Sequence, residues 1–308
     1  MDEFCKGTSA GWEKYALNPV LGGDLGTCFD ISVLKMKGSY RMFFSWRPEK
    51  CIAVCESSDG INWSEPQKCI LPRVTGQGWE DDLNRPAVLF RNDMYHMWYT
   101  GQSMPGIAEG TSHIFYATSK DGTNFERVRE TPVLCPEEEW EKKSLMCPDV
   151  MWDNDSQMYK MWYSGGEQHE PNAIGYATSR DGINWAKHCS NPVFAADTGT
   201  TWEQHKTTAC HVTKYGDFYY MFYVGFRNEN YAQIGIARSK DGINNWQRHP
   251  QNPVIAPSPG QWDADACYKP YTILDGEKWT LWYNGRNGQF EQIGVAFHVG
   301  SDLGFDQL

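Results

Sequence analysis

Three observations predict that this chain is an all-β protein, a five-bladed β-propeller with four antiparallel strands in each blade. First, a serine, an Asp-Gly pair and an aromatic recur four times: Ser58-Asp59-Gly60-Ile61-Asn62-Trp63, Ser119-Lys120-Asp121-Gly122-Thr123-Asn124-Phe125, Ser179-Arg180-Asp181-Gly182-Ile183-Asn184-Trp185 and Ser239-Lys240-Asp241-Gly242-Ile243-Asn244-Asn245-Trp246. The Asp-Gly positions step by 62, 60 and 60 residues, and a fixed period of that size marks a repeat architecture. Second, an aromatic strand recurs five times. Third, the N-terminal residues carry a feature of the middle repeats that the last repeat lacks.

The aromatic strands read Tyr40-Arg41-Met42-Phe43-Phe44, Tyr95-His96-Met97-Trp98-Tyr99, Tyr159-Lys160-Met161-Trp162-Tyr163, Tyr219-Tyr220-Met221-Phe222-Tyr223 and Trp279-Thr280-Leu281-Trp282-Tyr283. Alternation rich in Tyr, Trp and Phe and bounded by Gly and Asp is a strand signal. A further strand precedes each, joined to it by a short polar turn such as Arg91-Asn92-Asp93 or Asp275-Gly276-Glu277. Another follows, as in Ile114-Phe115-Tyr116-Ala117-Thr118, and leads into the Asp-Gly pair. Asp-Gly favours a tight hairpin because both residues tolerate positive φ. No segment holds a helical period.

Beyond three of the turns lie Thr131-Pro132-Val133, Asn191-Pro192-Val193 and Asn252-Pro253-Val254. The last repeat ends without this feature, and the N-terminus supplies it. Trp12 precedes Asn18 by the same six residues that separate Trp185 from Asn191 and Trp246 from Asn252. The N-terminal segment is therefore expected to pair with the C-terminal strands and close the ring, which removes exposed sheet edges. One propeller domain, residues 1–308, would use the whole chain.

Composition agrees. The 14 Phe, 14 Trp and 16 Tyr suffice for cores between blades. A net charge of −11 argues against nucleic acid or an anionic membrane as partner. No apolar run reaches transmembrane length. The start, Met1-Asp2-Glu3-Phe4-Cys5, has neither the basic stretch nor the apolar core of an export signal, so a cytoplasmic location is expected. The ten cysteines include no Cys-x-x-Cys pair, which favours reduced, mostly buried thiols over disulfides or zinc. No metal and no cofactor is expected.

Chemistry is sought where the repeat stops repeating. Aligned by their aromatic strands, the five preceding strands place Asp30, Arg85, Cys147, Ala209 and Lys269 in one register. Ser32, Ala87, Asp149, His211 and Tyr271 stand two residues on, and strict alternation would put both registers on the same side. A structural position would hold similar residues in every blade. In a propeller these strands line the central channel, where converging charges are costly unless they bind something or pair together. A plain ion-pair network, with Arg85 and Lys269 satisfying Asp30 and Asp149, is the competing reading.

On these residues the chain resembles the five-bladed propeller glycosidases. That group includes the arabinanases and xylosidases of glycoside hydrolase family 43, the invertase and levanase type, and the anhydrogalactosidases. The resemblance spans the chain at the level of repeat pattern. It implies that Asp30, in Phe29-Asp30-Ile31-Ser32, is the catalytic base or nucleophile, although Asp-Pro is the commoner form. Asp149, in Cys147-Pro148-Asp149-Val150, would be the second carboxylate. Glu is the usual acid from the fourth blade, but Ala209 occupies that register. His211 is one candidate, similar to the His acid of the anhydrogalactosidases. Glu203 is the other, although Trp202-Glu203 is matched by Trp79-Glu80, Trp140-Glu141 and Trp262-Asp263. His205 and Asp265 lie on the same loops. Arg85, Lys269, Trp46, Arg47, Arg227 and Arg286 are the expected substrate-binding residues, with Gln102 and Glu167 beside them. The implied substrate is a short oligosaccharide of furanoside or anhydro-sugar type. Some similar enzymes hold a calcium in the channel, which no residue pattern here indicates. Two alternatives share the fold: a phosphate-dependent glycoside phosphorylase, and a sugar-binding propeller without activity.

Overall fold

A computed structural model of the chain describes residues 7–73, 78–103, 110–167 and 171–305. These described residues are all-β apart from two single-turn 3-10 helices, Gly23–Leu25 and Glu139–Glu141. The strands are β1 (Trp12–Lys14), β2 (Cys28–Met36), β3 (Ser39–Trp46), β4 (Cys51–Ser57), β5 (Gln67–Ile70), β6 (Asp82–Arg91), β7 (Met94–Gln102), β8 (Ser112–Ser119), β9 (Glu126–Arg127), β10 (Ser144–Asp153), β11 (Met158–Gly166), β12 (Pro171–Ser179), β13 (Trp185–Lys187), β14 (Phe194–Ala195), β15 (Lys206–Tyr215), β16 (Phe218–Phe226), β17 (Ala232–Ser239), β18 (Gln247–Arg248), β19 (Ala266–Asp275), β20 (Lys278–Asn287) and β21 (Phe290–Val299).

The chain divides into two compact units. One comprises Met1–Phe29 with Ala196–Leu308, and the other comprises Asp30–Ala195. In the second unit β2-β3-β4-β5 form one antiparallel sheet. The runs β6–β9 and β10–β13 are each antiparallel and share a nine-stranded sheet, joined only by a parallel pairing of Ser112 with Ser144. The first unit holds two four-stranded sheets, β15-β16-β17-β18 and β1-β21-β20-β19.

The N-terminal strand takes the place expected of it. Trp12, Glu13 and Lys14 pair with His298, Phe297 and Ala296, as Trp185, Ala186 and Lys187 pair with Ser179, Thr178 and Ala177. Asn18 then repeats the work of Asn191 and Asn252. Its Oδ1 accepts the Val295 N–H and its Nδ2 donates to the Val295 carbonyl, both at 2.9 Å. Asn191 does the same to Tyr176, and Asn252 to Ile236.

Apolar faces meet between successive sheets. In the second unit Phe43, Ile52 and Val54 pack with Val88, Met97, Tyr99 and Phe115, and further along Trp98 packs with Leu145, Met161 and Tyr163. In the first unit Phe222, Ile234 and Ile236 pack with Trp279, Leu281 and Tyr283. Each fully buried aromatic contributes on the order of 2 kcal/mol over leaving it in water.

The Asp-Gly segments depart from expectation in two ways. They are not two-residue hairpins: Ser179 pairs with Trp185, so five residues intervene, and the aspartate is never at positive φ; the glycine is, at +76° in all four copies, joined in the fourth by Asn245 at +52°. The carboxylate does the work instead. Asp181 Oδ1 accepts the Ile183 and Asn184 N–H groups at 2.9 and 2.8 Å, while Ser179 Oγ accepts the Gly182 N–H at 2.9 Å. In the first copy the serine in this role is Ser57 rather than Ser58. The two-residue turns lie elsewhere, as at Asn92-Asp93, which both adopt positive φ between Arg91 and Met94. Neighbouring groups grip the Asp-Gly turns: Arg41 Nη1 donates to the Asp121 carbonyl at 2.7 Å and Trp98 Nε1 to the Gly182 carbonyl at 2.9 Å.

Candidate active site

Two sets of inward positions recur, and they differ in what they repeat. The first set belongs to the Trp-acid motif. Glu80 accepts from Tyr99 OH at 2.7 Å and pairs with Arg127 at 2.8 Å and Arg73 at 2.6 Å. Glu141 accepts from Tyr163 OH at 2.8 Å and pairs with Lys187 at 2.6 Å. Asp263 accepts from Tyr283 OH at 3.1 Å and pairs with Lys14 at 2.6 Å. Glu203 belongs to this set: it is fully buried, pairs with Arg248 Nε at 2.5 Å and is bonded by Tyr223. Burial pushes its carboxyl above the usual range, and Arg248 and Tyr223 partly oppose that. In each case a cation comes from the fourth strand, namely β9, β13, β18 or β1, and Glu80 has Arg73 as a second. The preceding tryptophan also has a repeated seat. A Cβ on Gly225 or Gly235 would stand 2.4 Å from the Trp202 indole, so both close approaches require glycine. The partners of Glu203 are thus those of a repeat position, whose three other members, Glu80, Glu141 and Asp263, lie on sheets where no acid is expected.

The second set lies on the first strand of each sheet. Asp30, Arg85, Cys147, Ala209 and Lys269 have φ of +54°, +57°, +50°, +41° and +47°. For side chains other than Gly this conformation is uncommon. It coincides with a β-bulge wherever the pairing is resolved. Asn84 and Ala87 face Thr100 and Trp98, Met146 and Asp149 face Ser164 and Trp162, and Tyr268 and Tyr271 face Asn284 and Trp282. One extra residue is inserted each time, so strict alternation between the two registers fails at this point. The bulge re-aims the side chain and leaves its N–H without a ladder partner. Hydroxyls fill that role: Ser45 Oγ accepts the Arg85 N–H at 3.0 Å and Thr100 Oγ1 accepts the Cys147 N–H at 3.2 Å.

Within the second unit, Asp30 and Arg85 come together. Both carboxylate and guanidinium are largely buried, and Arg85 Nε lies 3.5 Å from Asp30 Oδ2. That oxygen accepts no hydrogen bond among the described residues. Arg85 is held on its other side by Asn84 Oδ1 at 2.5 Å and Gln102 Oε1 at 3.4 Å, and Asn84 Nδ2 donates to Gln102 at 2.7 Å. Sequence reading missed Asn84, Ser45 and Thr100. The signal was present in the small polar residue that precedes the glycine or tryptophan of four of the five aromatic strands, Val224 being the exception. Asp149 is buried on β10 opposite Trp162. Trp46 and Arg47 lie at the end of β3, half-buried and exposed respectively. Glu167 is spent on a surface pair with Lys142 at 2.9 Å.

Within the first unit, His211 is buried on β15. Its ring stacks on Tyr271, with centroids 3.9 Å apart, and Nε2 meets the Thr272 carbonyl at 3.1 Å. A carbonyl only accepts, so Nε2 carries the hydrogen and the remaining ring chemistry belongs to Nδ1. Lys269 is buried on β19. Arg227 and Arg286 lie half-buried beside the loop between β16 and β17, Arg227 through its backbone N–H to the Tyr231 carbonyl and Arg286 through Nη2 to the Asn230 carbonyl at 2.6 Å. His205 donates its backbone N–H to the Phe226 carbonyl. Among the described residues no three His, Cys, Asp or Glu side chains are placed to hold a metal ion. The nine described cysteines are free thiols, and no helix is long and apolar enough to cross a membrane.

Four-stranded repeats with buried polar residues on their first strands fit a β-propeller protein, and comparison with known proteins agrees with that fold. Solved structures share the fold. A glycoside hydrolase superimposes with a TM-score of 0.75 at 20% identity, covering 94% of this chain and 93% of that one. A thermostable family-43 glycoside hydrolase gives 0.70 at 18%, covering 89% and 90%. The xylan β-1,4-xylosidase of Bacillus halodurans gives 0.66 at 15%, over 91% of this chain and 53% of that one. The family model for glycosyl hydrolases family 43 matches residues 16–295, and the chain belongs to that family; it is a glycosidase. Among curated relatives, an uncharacterized protein of Mycobacterium tuberculosis is 30% identical over 71% of this chain and 73% of its own length. A 1,2-β-oligomannan phosphorylase of Thermoanaerobacter is 26% identical over 63% of this chain and 61% of its own length.

Proposed function

We propose that this family 43 glycosidase hydrolyses a short oligosaccharide of furanoside or anhydro-sugar type, with Asp30 and Asp149 as its carboxylates and His211 as its acid. The five four-stranded groups would be five blades of one domain, residues 1–308, in a ring closed through β1. The observation that carries the assignment is Asp30. It is a buried carboxylate on a residue with left-handed φ, with an oxygen that accepts no hydrogen bond among the described residues and a guanidinium beside it. Such an oxygen is costly to leave unsatisfied, and a substrate hydroxyl or an attacking water would satisfy it.

The steps follow from glycoside chemistry. The acid gives a proton to the leaving oxygen as the bond to the anomeric carbon breaks. Asp30 either takes a proton from the attacking water or attacks the carbon itself. Asp149 would position substrate and support the acid's protonated state. With Nε2–H donated to Thr272, protonated His211 would deliver its proton from Nδ1. Glu203 already serves Arg248 and Tyr223, which favours His211 over it. Arg85, Lys269, Trp46, Arg47, Arg227 and Arg286 would bind the sugars, through guanidinium hydrogen bonds and ring stacking.

Phosphorolysis is the second reading, favoured by the oligomannan phosphorylase relative and by the cations Arg85 and Lys269 in the same register of two first strands. A screen of aryl furanosides and pyranosides, with and without inorganic phosphate, separates the two. Hydrolysis independent of phosphate and abolished by Asp30→Asn supports the first. Turnover that requires phosphate supports the second. Full activity in both Asp30→Asn and Asp149→Asn would remove the catalytic assignment.

A further inference from the structure

We propose that an open cleft at the start of β19 binds a neutral sugar unit of the substrate, away from the bond being broken; this rests on the glycosidase reading. The cleft has a volume of about 810 Å³ and lies within the first unit. The loop between β16 and β17 forms one wall, and Asp265, Arg286 and Gly288 form the other. That volume suits a small ligand.

The polar groups are fixed by the fold before any ligand arrives. Asp265 Oδ2 accepts the Gly288 N–H at 2.7 Å, which leaves its second oxygen to a ligand. Arg286 gives one N–H to the Asn230 carbonyl at 2.6 Å and keeps the rest of its fork of donors. Asn228 Oδ1 accepts the N–H groups of Asn230 and Tyr231 at 3.0 Å each, so its NH₂ is the group it can offer. Donors and an acceptor therefore stand beside the Tyr231 ring. Adjacent hydroxyls on a sugar both donate and accept, and its C–H face suits an aromatic side chain.

Charge selects among sugars. Glu229 and Asp265 contribute two carboxylates to the lining and Arg286 one cation. A uronate or phosphate would meet net repulsion, whereas a neutral ring would not. Position selects the subsite. Asp265 precedes Lys269 by four residues, about 13 Å of extended strand, so the cleft would meet a sugar unit other than the one at the bulge.

Calorimetric titration with neutral trisaccharides of xylose, arabinose and mannose, and with trigalacturonate, tests this on the full chain. At least one neutral trisaccharide should bind about tenfold more tightly than trigalacturonate, a difference of ~1.4 kcal/mol. Asp265→Asn keeps an acceptor for Gly288 but removes the charge, and should narrow that preference severalfold. Asp265→Ala should weaken the neutral ligand itself. Equal affinities, no binding of any neutral probe, or an unchanged preference in Asp265→Asn would overturn the proposal. Aryl-glycoside cleavage without Asp265-dependent binding contradicts the cleft alone, and such binding without any cleavage contradicts the glycosidase reading alone.

Discussion

The Trp-acid positions and the left-handed positions both place charged side chains inside the protein, in contrasting ways. At Glu80, Glu141, Glu203 and Asp263 the side chain and its partners repeat: a tyrosine from the second strand and a cation from the fourth. At Asp30, Arg85, Cys147, Ala209 and Lys269 the backbone repeats and the side chain does not. A repeated side chain with repeated partners is scaffold. A repeated backbone that presents a different side chain on each sheet is where the proposed chemistry would sit. The first sheet sharpens the contrast. Phe44 stands where the others have Tyr, and Glu65, two residues after Trp63, stands where they have Lys or Arg. The sheet without this ion pair is the one that carries Asp30.

The largest effect expected of breaking this contrast is on activity. Asp30→Asn and Asp149→Asn should each lower kcat/KM by about 10²–10⁴-fold, with the melting temperature little changed. Breaking the other side should do the reverse. Lys14→Met strands Asp263 beside Tyr283 and detaches β1, which should cost about 3 kcal/mol in chemical denaturation. Lys68→Met, which removes an exposed pair with Glu49, should leave the midpoint of the same assay essentially unchanged.

A smaller effect comes from Phe44→Tyr. Phe44 is fully buried on a sheet that offers no matching carboxylate, so the added hydroxyl should destabilise by about 1–3 kcal/mol. An unchanged denaturation midpoint would mean that the first sheet can host the arrangement after all.

The mildest expected effect is on the pH profile of stability. Burial holds His113 down at about 4, below its unfolded value, so the unfolded chain binds the extra proton and stability falls as pH drops from about 6.5 to 4. Asp241 lies at about 2: burial raises it, but hydrogen bonds from Asn244, Ile243 and Ser239 outweigh that. Its contribution is present above about 4 and is lost as pH falls towards 2. Thermal melts between pH 8 and 3 should show both declines, and His113→Asn should flatten the first.

Much of this was legible in the sequence, for physical reasons. The Asp-Gly period, the five aromatic strands and the match between Trp12–Pro19 and Trp185–Pro192 are local patterns tied to strand geometry. They led to the strands and to the pairing of β1. The register containing Asp30, Arg85, Cys147, Ala209 and Lys269 was found by alignment alone, and it coincides with the left-handed bulge residues. The bulge itself was hidden, because an inserted residue leaves no compositional mark when Arg, Cys or Lys occupies it. So alternation across it misled. The role of the Asp-Gly aspartate was misjudged as turn conformation because carboxylate capping and positive φ select the same two residues. The ion pair of Glu203 with Arg248 joins residues 45 apart, which no local pattern reports.

The most direct measurement sets two candidate acids side by side on whichever aryl glycoside the enzyme cleaves. His211→Asn should lose about 10²–10⁴-fold in kcat/KM while keeping its melting temperature. Glu203→Gln should lose stability, and its folded fraction should keep kcat within a few-fold of wild type. A Glu203→Gln enzyme that folds well but does not turn over, beside an active His211→Asn enzyme, would contradict the division between repeated scaffold and unrepeated chemistry.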